Sequence, residues 1–311
     1  MSPQEKQIAP ADTQTGWLLS RLSRLSPRVQ AIAQLARYDR PIGAWLLFWP
    51  CFWGTALASA ELHSLPSLMP LLAFAIGALA MRGAGCTYND IIDRNLDGQV
   101  ARTALRPLPS GRVSLRAAWV FFVAQIFVGF LVLVSFQSLF MLTLGIAALG
   151  LVAAYPFMKR ITYWPQAWLG LTFNWGALMG YAAITDTLPP AAFALYAAGV
   201  FWTLGYDTIY AHQDKEDDAL IGVKSTALLL GARTKPVLTL FYGASLACLA
   251  LAAYAAQIGP LFWAALPIVG WHLLVQITRL DINKPEVCLQ IFRANRNTGL
   301  IIAIAFVLGG F

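Results

Sequence analysis

Nine stretches of this chain are apolar for about the length a helix needs to cross a bilayer, and nothing else in it limits the fold as strongly. Roughly 20 consecutive apolar residues cover the hydrocarbon core. Such runs lie near residues 42–60, 67–88, 114–134, 137–155, 166–184, 190–210, 236–256, 260–278 and 297–311. The last holds 15 residues and reads as a short ninth span. Within a bilayer every backbone N–H and C=O has to be paired inside the segment, so these runs are read as helices. With 58% hydrophobic and 12% charged residues, the 311-residue chain also lacks the polar surface that a soluble domain of its size needs. The expected class is an all-α polytopic membrane protein of about nine transmembrane helices.

The basic residues give the orientation. Of 22 Lys and Arg, 21 fall in the N-terminal segment and the loops after the second, fourth, sixth and eighth spans. The alternate connections hold none, and the remaining one, Arg82, lies deep inside a span, whereas Arg116 stands at the very start of the third run and is counted with the loop before it. This asymmetry puts the N-terminus and the basic loops on the cytoplasmic side. The net charge of +7 is thus divided among five segments, which gives no reason to invoke a nucleic-acid partner. Residues 1–36 read as a polar N-terminus followed by an amphipathic stretch, broken at Pro27, that suits an anionic lipid surface or a solvated lead-in; residues 37–311 form the transmembrane domain. The four cysteines and three histidines show no zinc-ligand spacing.

Eight of the 15 acidic residues lie in two short windows, each at the cytoplasmic end of a span. In the first, Asn89, Asp93 and Asp97 follow an i, i+4, i+8 spacing that gives them one face if the second span continues as a helix. In the second, Asp214 and Asp218 repeat the i, i+4 spacing and Asp207 lies about two turns earlier. Carboxylates stacked at a helix C-terminus repel one another and oppose the helix dipole. A hard divalent cation offsets that cost, and Mg²⁺ takes oxygen ligands from carboxylates and substrate phosphates together. Two such clusters suit a magnesium diphosphate; solvated loop starts are the plainer alternative. Arg102 and Arg106, also four apart, follow the first cluster, and a guanidinium makes two hydrogen bonds to phosphate oxygens at once.

Arg82 precedes Asn89 by seven residues, roughly 10 Å deeper along a helix and on the same face. A charge in a span usually lines a cavity. It reads either as a ligand for an anionic group on a second substrate or as a partner of Asp90 or Asp93. Asn174, in the fifth span, reads as an acceptor-orienting residue or as an interhelical hydrogen bond.

The strings Asn89–Asp97, Arg102–Gly111, Tyr206–Asp218 and Gly222–Thr226 resemble the UbiA superfamily of intramembrane prenyltransferases. Supporting stretches are Arg40–Gly43, Met81–Cys86 and Lys159–Gln166, and the resemblance runs from about residue 37 to about 300. Within the superfamily the chain is similar to the members that prenylate 4-hydroxybenzoate in ubiquinone biosynthesis. The resemblance implies nine helices around a central cavity open to lipid, with the motif loops as a cytoplasmic cap. It implies Mg²⁺-dependent binding of a polyprenyl diphosphate by Asn89, Asp93, Asp97, Asp207, Asp214 and Asp218, with Asp93, Asp97, Asp214 and Asp218 central to catalysis. Arg102, Arg106 and Lys159 match basic diphosphate contacts, and Arg82 matches the position facing the aromatic acceptor. The expected reaction is electrophilic aromatic substitution, in a bacterial inner membrane, with membrane lipid as the surroundings. Competing readings are the same fold with naphthoate, homogentisate, haem or chlorophyllide as acceptor and, from another class, a divalent-cation or solute transporter.

Overall fold

The computed structural model describes residues 24–98, 103–213 and 215–311, and every regular element among them is helical. The α-helices are α1 (Pro27–Leu35), α2 (Ile42–Glu61), α3 (Leu68–Asp97), α4 (Leu115–Ser135), α5 (Leu139–Ile161), α6 (Pro165–Thr185), α7 (Pro190–Ala211), α8 (Lys215–Ile221), α9 (Thr226–Leu230), α10 (Thr234–Ala255), α11 (Pro260–Arg279) and α12 (Pro285–Leu308). Among the described residues nine of these helices reach 20 residues or more, as the apolar runs predict. Proline opens α6, α7, α11 and α12, where its missing N–H has no intrahelical partner to lose. The break expected at Pro27 is the start of α1. The preceding part of the amphipathic stretch, up to residue 23, lies outside the described residues.

Seven of the nine long helices are apolar enough to cross a membrane by length and composition. The other two, α6 and α7, carry the polar residues Gln166, Asn174, Thr203 and Asp207, and more than half of the residues in each are buried. Helix α7 packs against α6, α10 and α12. A helix surrounded by protein meets its hydrogen-bonding needs from neighbours and does not have to match lipid.

The expectation of a short ninth span is corrected. Helix α12 begins at Pro285 and runs for 24 residues. Its first half looks too polar to span because Glu286, Arg293, Asn295 and Arg296 interrupt the apolar pattern, yet Asn295, like Thr298 one turn on, is fully buried. Trp202 Nε1 donates to Asn295 Oδ1 at 2.8 Å, Asn295 Nδ2 to Gln276 Oε1 at 3.1 Å, and Gln276 Nε2 to Thr298 Oγ1 at 3.0 Å. Tyr242 adds its hydroxyl to Gln276 Oε1 at 3.1 Å. A network satisfied in this way removes the desolvation penalty of its members.

The chain divides into two compact units. One comprises the described part of Met1–Gly43 with Ala80–Phe127. Its core joins Ala31 and Leu35 of α1 to Ile91 of α3, Leu108 and Val113 of the following loop, and Ala118 of α4. Arg37 closes α1: its backbone takes φ 60°, and its Nη1 donates to the carbonyls of Gln34 and Leu35 at 2.8 and 3.2 Å. Those carbonyls lack intrahelical partners. The same guanidinium reaches α3, where Nη2 donates to both oxygens of Asp90 at 2.8 and 3.0 Å.

The other unit comprises Ala44–Leu79 and Val128–Phe311. There α2 and α6 approach closely through glycines. A Cβ added at Gly180 would sit 2.9 Å from both the carbonyl carbon of Cys51 and the backbone nitrogen of Thr55; one added at Gly54 would sit 2.7 Å from the nitrogen of Tyr181. These neighbours are backbone and cannot turn aside.

Two outcomes follow from this packing. Gly180→Val is expected to destabilise the protein by about 1–3 kcal/mol or more through overpacking, read as a lowered thermal midpoint in detergent. Asp90→Asn is expected to cost about 3–5 kcal/mol, because it leaves buried Arg37 without its counter-charge. Adding Arg37→Met to Asp90→Asn is expected to recover much of that loss in the same measurement; additive losses would refute the pairing.

Candidate active site

The first acidic motif is built on one continuous helix. Helix α3 carries Asn89, Asp93 and Asp97 without interruption, so the spacing does give them one face. Asp93 and Asp97 are buried at 1% and 8% exposure, while Asn89 is half-buried. Asp90, one residue round the helix from Asn89, serves differently. Besides Arg37 it holds Arg106, whose Nη1 stands 3.3 Å from Asp90 Oδ1 and 2.8 Å from Asp97 Oδ2. Arg106, expected as a diphosphate contact, is therefore bound into the acidic cluster. Thr103 anchors the same loop, donating from Oγ1 to the Asp97 carbonyl at 2.7 Å.

Electrostatics follow from this arrangement. Burial pulls the Arg37 guanidinium down, but the Asp90 carboxylate beside it, together with Cys86 and Asp39, outweighs burial and holds it above its ordinary value. Burial pushes the Asp97 carboxyl above the usual carboxylate range, with Arg106 pulling the other way. The rotation of α3 is set from its other side. Thr87 Oγ1 donates to Gln125 Oε1 of α4 at 3.3 Å, and Gln125 Nε2 donates to the Tyr38 hydroxyl at 3.1 Å. Arg82 lies two turns before Asn89 on this same helix and is half-buried. The sequence reading missed Arg37 and the special role of Asp90, since their partnership joins positions 53 residues apart and leaves no local signal.

The second motif lies in the other unit. Asp207 sits in the last turn of α7 and is half-buried beside the buried Tyr206. Asp214, like Arg102 of the first motif, lies outside the described residues, and Asp218 is described only as part of the backbone of α8. The stretch Gly222–Thr226 is fixed by its neighbours. Lys224 N donates to the Lys159 carbonyl at 2.8 Å, and Lys224 Nζ donates to the Ile161 carbonyl at 3.1 Å, closing the end of α5. Thr226 N donates to Gln166 Oε1 at 3.1 Å, and the hydroxyls of Thr226 and Thr208 are 2.8 Å apart. Lys159 itself is half-buried in the last turn of α5. His212, just past α7, shares a 2.9 Å hydrogen bond with Thr234 Oγ1, and burial, aided by Lys215, pushes it down to about 4.

Asn174 makes an interhelical hydrogen bond. It is fully buried and donates to the Gly170 carbonyl at 2.8 Å and to Thr203 Oγ1 of α7 at 2.7 Å. It packs so closely on Gly199 that a Cβ there would fall 2.5 Å from its Cγ.

Among the described residues no three His, Cys, Asp or Glu side chains form a preassembled metal cluster. The row of Asn89, Asp93 and Asp97 nonetheless fits a magnesium diphosphate, because all its donors are oxygen and Mg²⁺ commonly completes its shell with phosphate and water.

The UbiA prenyltransferase family profile matches residues 47–301. The chain is 50% identical over 291 residues to the mitochondrial 4-hydroxybenzoate polyprenyltransferase of Drosophila melanogaster, covering 93% of this chain and 73% of that one. The Homo sapiens protein of the same name is 49% identical over 289 residues, with 91% and 76% covered. That of Arabidopsis thaliana is 46% identical over 286 residues, with 92% and 70% covered. The fold is similar to the apo structure of a UbiA homolog from Aeropyrum pernix K1, with a TM-score of 0.71 and 23% identity over 85% of this chain and 96% of that one. It is also similar to a UbiA homolog from Archaeoglobus fulgidus bound to GPP and Mg²⁺, with a TM-score of 0.65 and 19% identity over 89% and 99%. The expected bacterial inner membrane is corrected by these relatives. They are named as mitochondrial enzymes of animals and a plant, and the multi-pass topology is unchanged. The profile covers most of the chain and the relatives are about half identical to it: this protein belongs to the UbiA prenyltransferase family.

Proposed function

We propose that the protein transfers a polyprenyl group from a polyprenyl diphosphate to the ring carbon ortho to the hydroxyl of 4-hydroxybenzoate, the prenylation step of ubiquinone biosynthesis. The observation that carries this reading is the single helix α3, which bears the row Asn89, Asp93 and Asp97 and, two turns deeper, Arg82. One helix thereby offers oxygen ligands for a metal-bound diphosphate and a fixed cation for an acceptor's carboxylate. The relatives named for this reaction support it, as does the archaeal neighbour bound to GPP and Mg²⁺.

In this reading Asn89, Asp93 and Asp97 of the first motif hold the magnesium diphosphate, and Asp207, Asp214 and Asp218 of the second motif are metal ligands within their own unit. Arg102 binds its non-bridging oxygens, together with Arg106 where that side chain rests on Asp97, and Lys159 is a basic contact within the other unit. A bound Mg²⁺ supplies Lewis-acid stabilisation of the charge that grows on the departing diphosphate. Arg82 takes the carboxylate of 4-hydroxybenzoate through its planar fork and fixes which ring carbon faces the allylic centre. The C–O bond of the donor breaks, the ring carbon ortho to the phenol takes the allylic carbon, and the proton leaves that ring carbon as aromaticity returns. Asn174 spends its Nδ2 on hydrogen bonds within α6 and to α7, and its buried Oδ1, which has no hydrogen-bond partner among the described residues, is the atom it offers for orienting the acceptor.

The test is purified protein in lipid nanodiscs with Mg²⁺, labelled donors of several chain lengths and a panel of acceptors. The expected result is preference for 4-hydroxybenzoate over naphthoate, homogentisate and haem, with diphosphate released. Asp93→Ala is expected to lower kcat by about 10²–10³, the usual cost of removing one group that stabilises developing charge. Normal turnover by Asp93→Ala, or preference for another acceptor, would contradict the reading.

A further inference from the structure

Gly43, in the first turn of α2, faces the Arg82 side chain of α3, and both belong to the same compact unit. A Cβ built at residue 43 would meet Arg82 Nε and would stand 2.7 Å from Cζ and 2.8 Å from Nη2. Those distances lie inside van der Waals contact and fall on three atoms of the guanidinium itself. Backbone conformation does not demand glycine at this position. The glycines with positive φ are Gly111, Gly222 and Gly231, so residue 43 has a backbone open to any side chain. In a helix alanine is the more favourable residue on propensity. Position 43 therefore excludes a Cβ for the space it would take, and that space is filled by the guanidinium. Nearby Gly85 shows the contrast, since a Cβ there would meet nothing within 4 Å.

We infer that Gly43 is a positioning residue for the acceptor: by lacking a side chain it seats the Arg82 guanidinium against the start of α2, and so sets where the acceptor's carboxylate is held. This rests on the reading of Arg82 given above. Alanine at position 43 turns the guanidinium aside, since the far end of an arginine yields more readily than backbone does. The loss falls on recognition of the carboxylate and leaves the magnesium diphosphate row, two turns away, as it was.

The experiment compares two acceptors, 4-hydroxybenzoate and the neutral 4-hydroxybenzamide, in nanodiscs with Mg²⁺ and geranyl diphosphate. The readout is the ratio of kcat/KM for the acid over that for the amide. A change in the amount of folded protein cancels in this ratio. Gly43→Ala and Arg82→Ala are each expected to lower the ratio by about 10–100-fold, the scale of one hydrogen bond to a charged group. The donor KM is expected to stay within about twofold, and the double variant to fall no further than Arg82→Ala alone, as for two residues acting through one interaction. If Arg82→Ala lowers the ratio and Gly43→Ala does not, or if the two losses multiply, the role of Gly43 is overturned and that of Arg82 stands. If Arg82→Ala leaves the ratio unchanged, the acceptor reading falls and the role of Gly43 with it. Thermal stability gives a second test, since Arg82→Ala removes the group that the new methyl strikes. Any loss of folded Gly43→Ala is expected to be restored in the double variant, and persistence of that loss would overturn the inference.

Discussion

A carboxylate buried at 1% exposure and gripped by two arginines fixes the geometry of the first motif. Asp90 accepts from Arg37 Nη2 on both of its oxygens and takes a further contact from Arg106. Charge-assisted hydrogen bonds of this kind are shorter and stronger than neutral ones. Through Arg37 the end of α1 is tied to α3, and through Arg106 the loop after α3 is tied back onto Asp97. Such a cluster contributes little net stability when complete and costs much when one member is lost. Its consequence here is a division of labour along the helix, with Asp90 serving the protein and Asn89, Asp93 and Asp97 presenting oxygen on the next face.

That division sets up the proposed chemistry. Oxygen ligands repel one another at a helix end unless a cation joins them, and a diphosphate arrives with charge that needs the same cation. Arg82 then differs from the other basic residues by depth, not by type. A guanidinium two turns below the ligand row has nothing to do with topology and much to offer an anionic ring substituent. Gly43 extends the logic to a residue with no functional group, since its contribution is the volume it leaves to Arg82.

The helices were legible in the sequence because a membrane span is a local property, readable from a run of about 20 residues. The start of α12 was not, since Arg293, Asn295 and Arg296 break the apolar run, and Asn295 looks exposed until Gln276 and Trp202 are brought beside it from α11 and α7. The helical row of the first motif was also local and follows from the spacing alone. Asp90 falls off that row, but nothing near it names Arg37 as its partner. Asn174 allowed two readings, and Thr203 on the next helix supplies the interhelical bond through Nδ2, which leaves Oδ1 for the other. The charge asymmetry tells which face of a membrane is basic. It does not tell which membrane, and the bacterial location drawn with it gave way to relatives from mitochondria.

The central claim is that Arg82 holds the acceptor so that one ring carbon meets the allylic centre. Determining the attachment point in the product by NMR, with ¹³C-ring-labelled 4-hydroxybenzoate and geranyl diphosphate, tests it most directly. The account predicts a single product with a carbon–carbon bond ortho to the hydroxyl and one diphosphate released per turnover. An ether at the phenol, an ester at the carboxylate or a mixture of ring positions would contradict it.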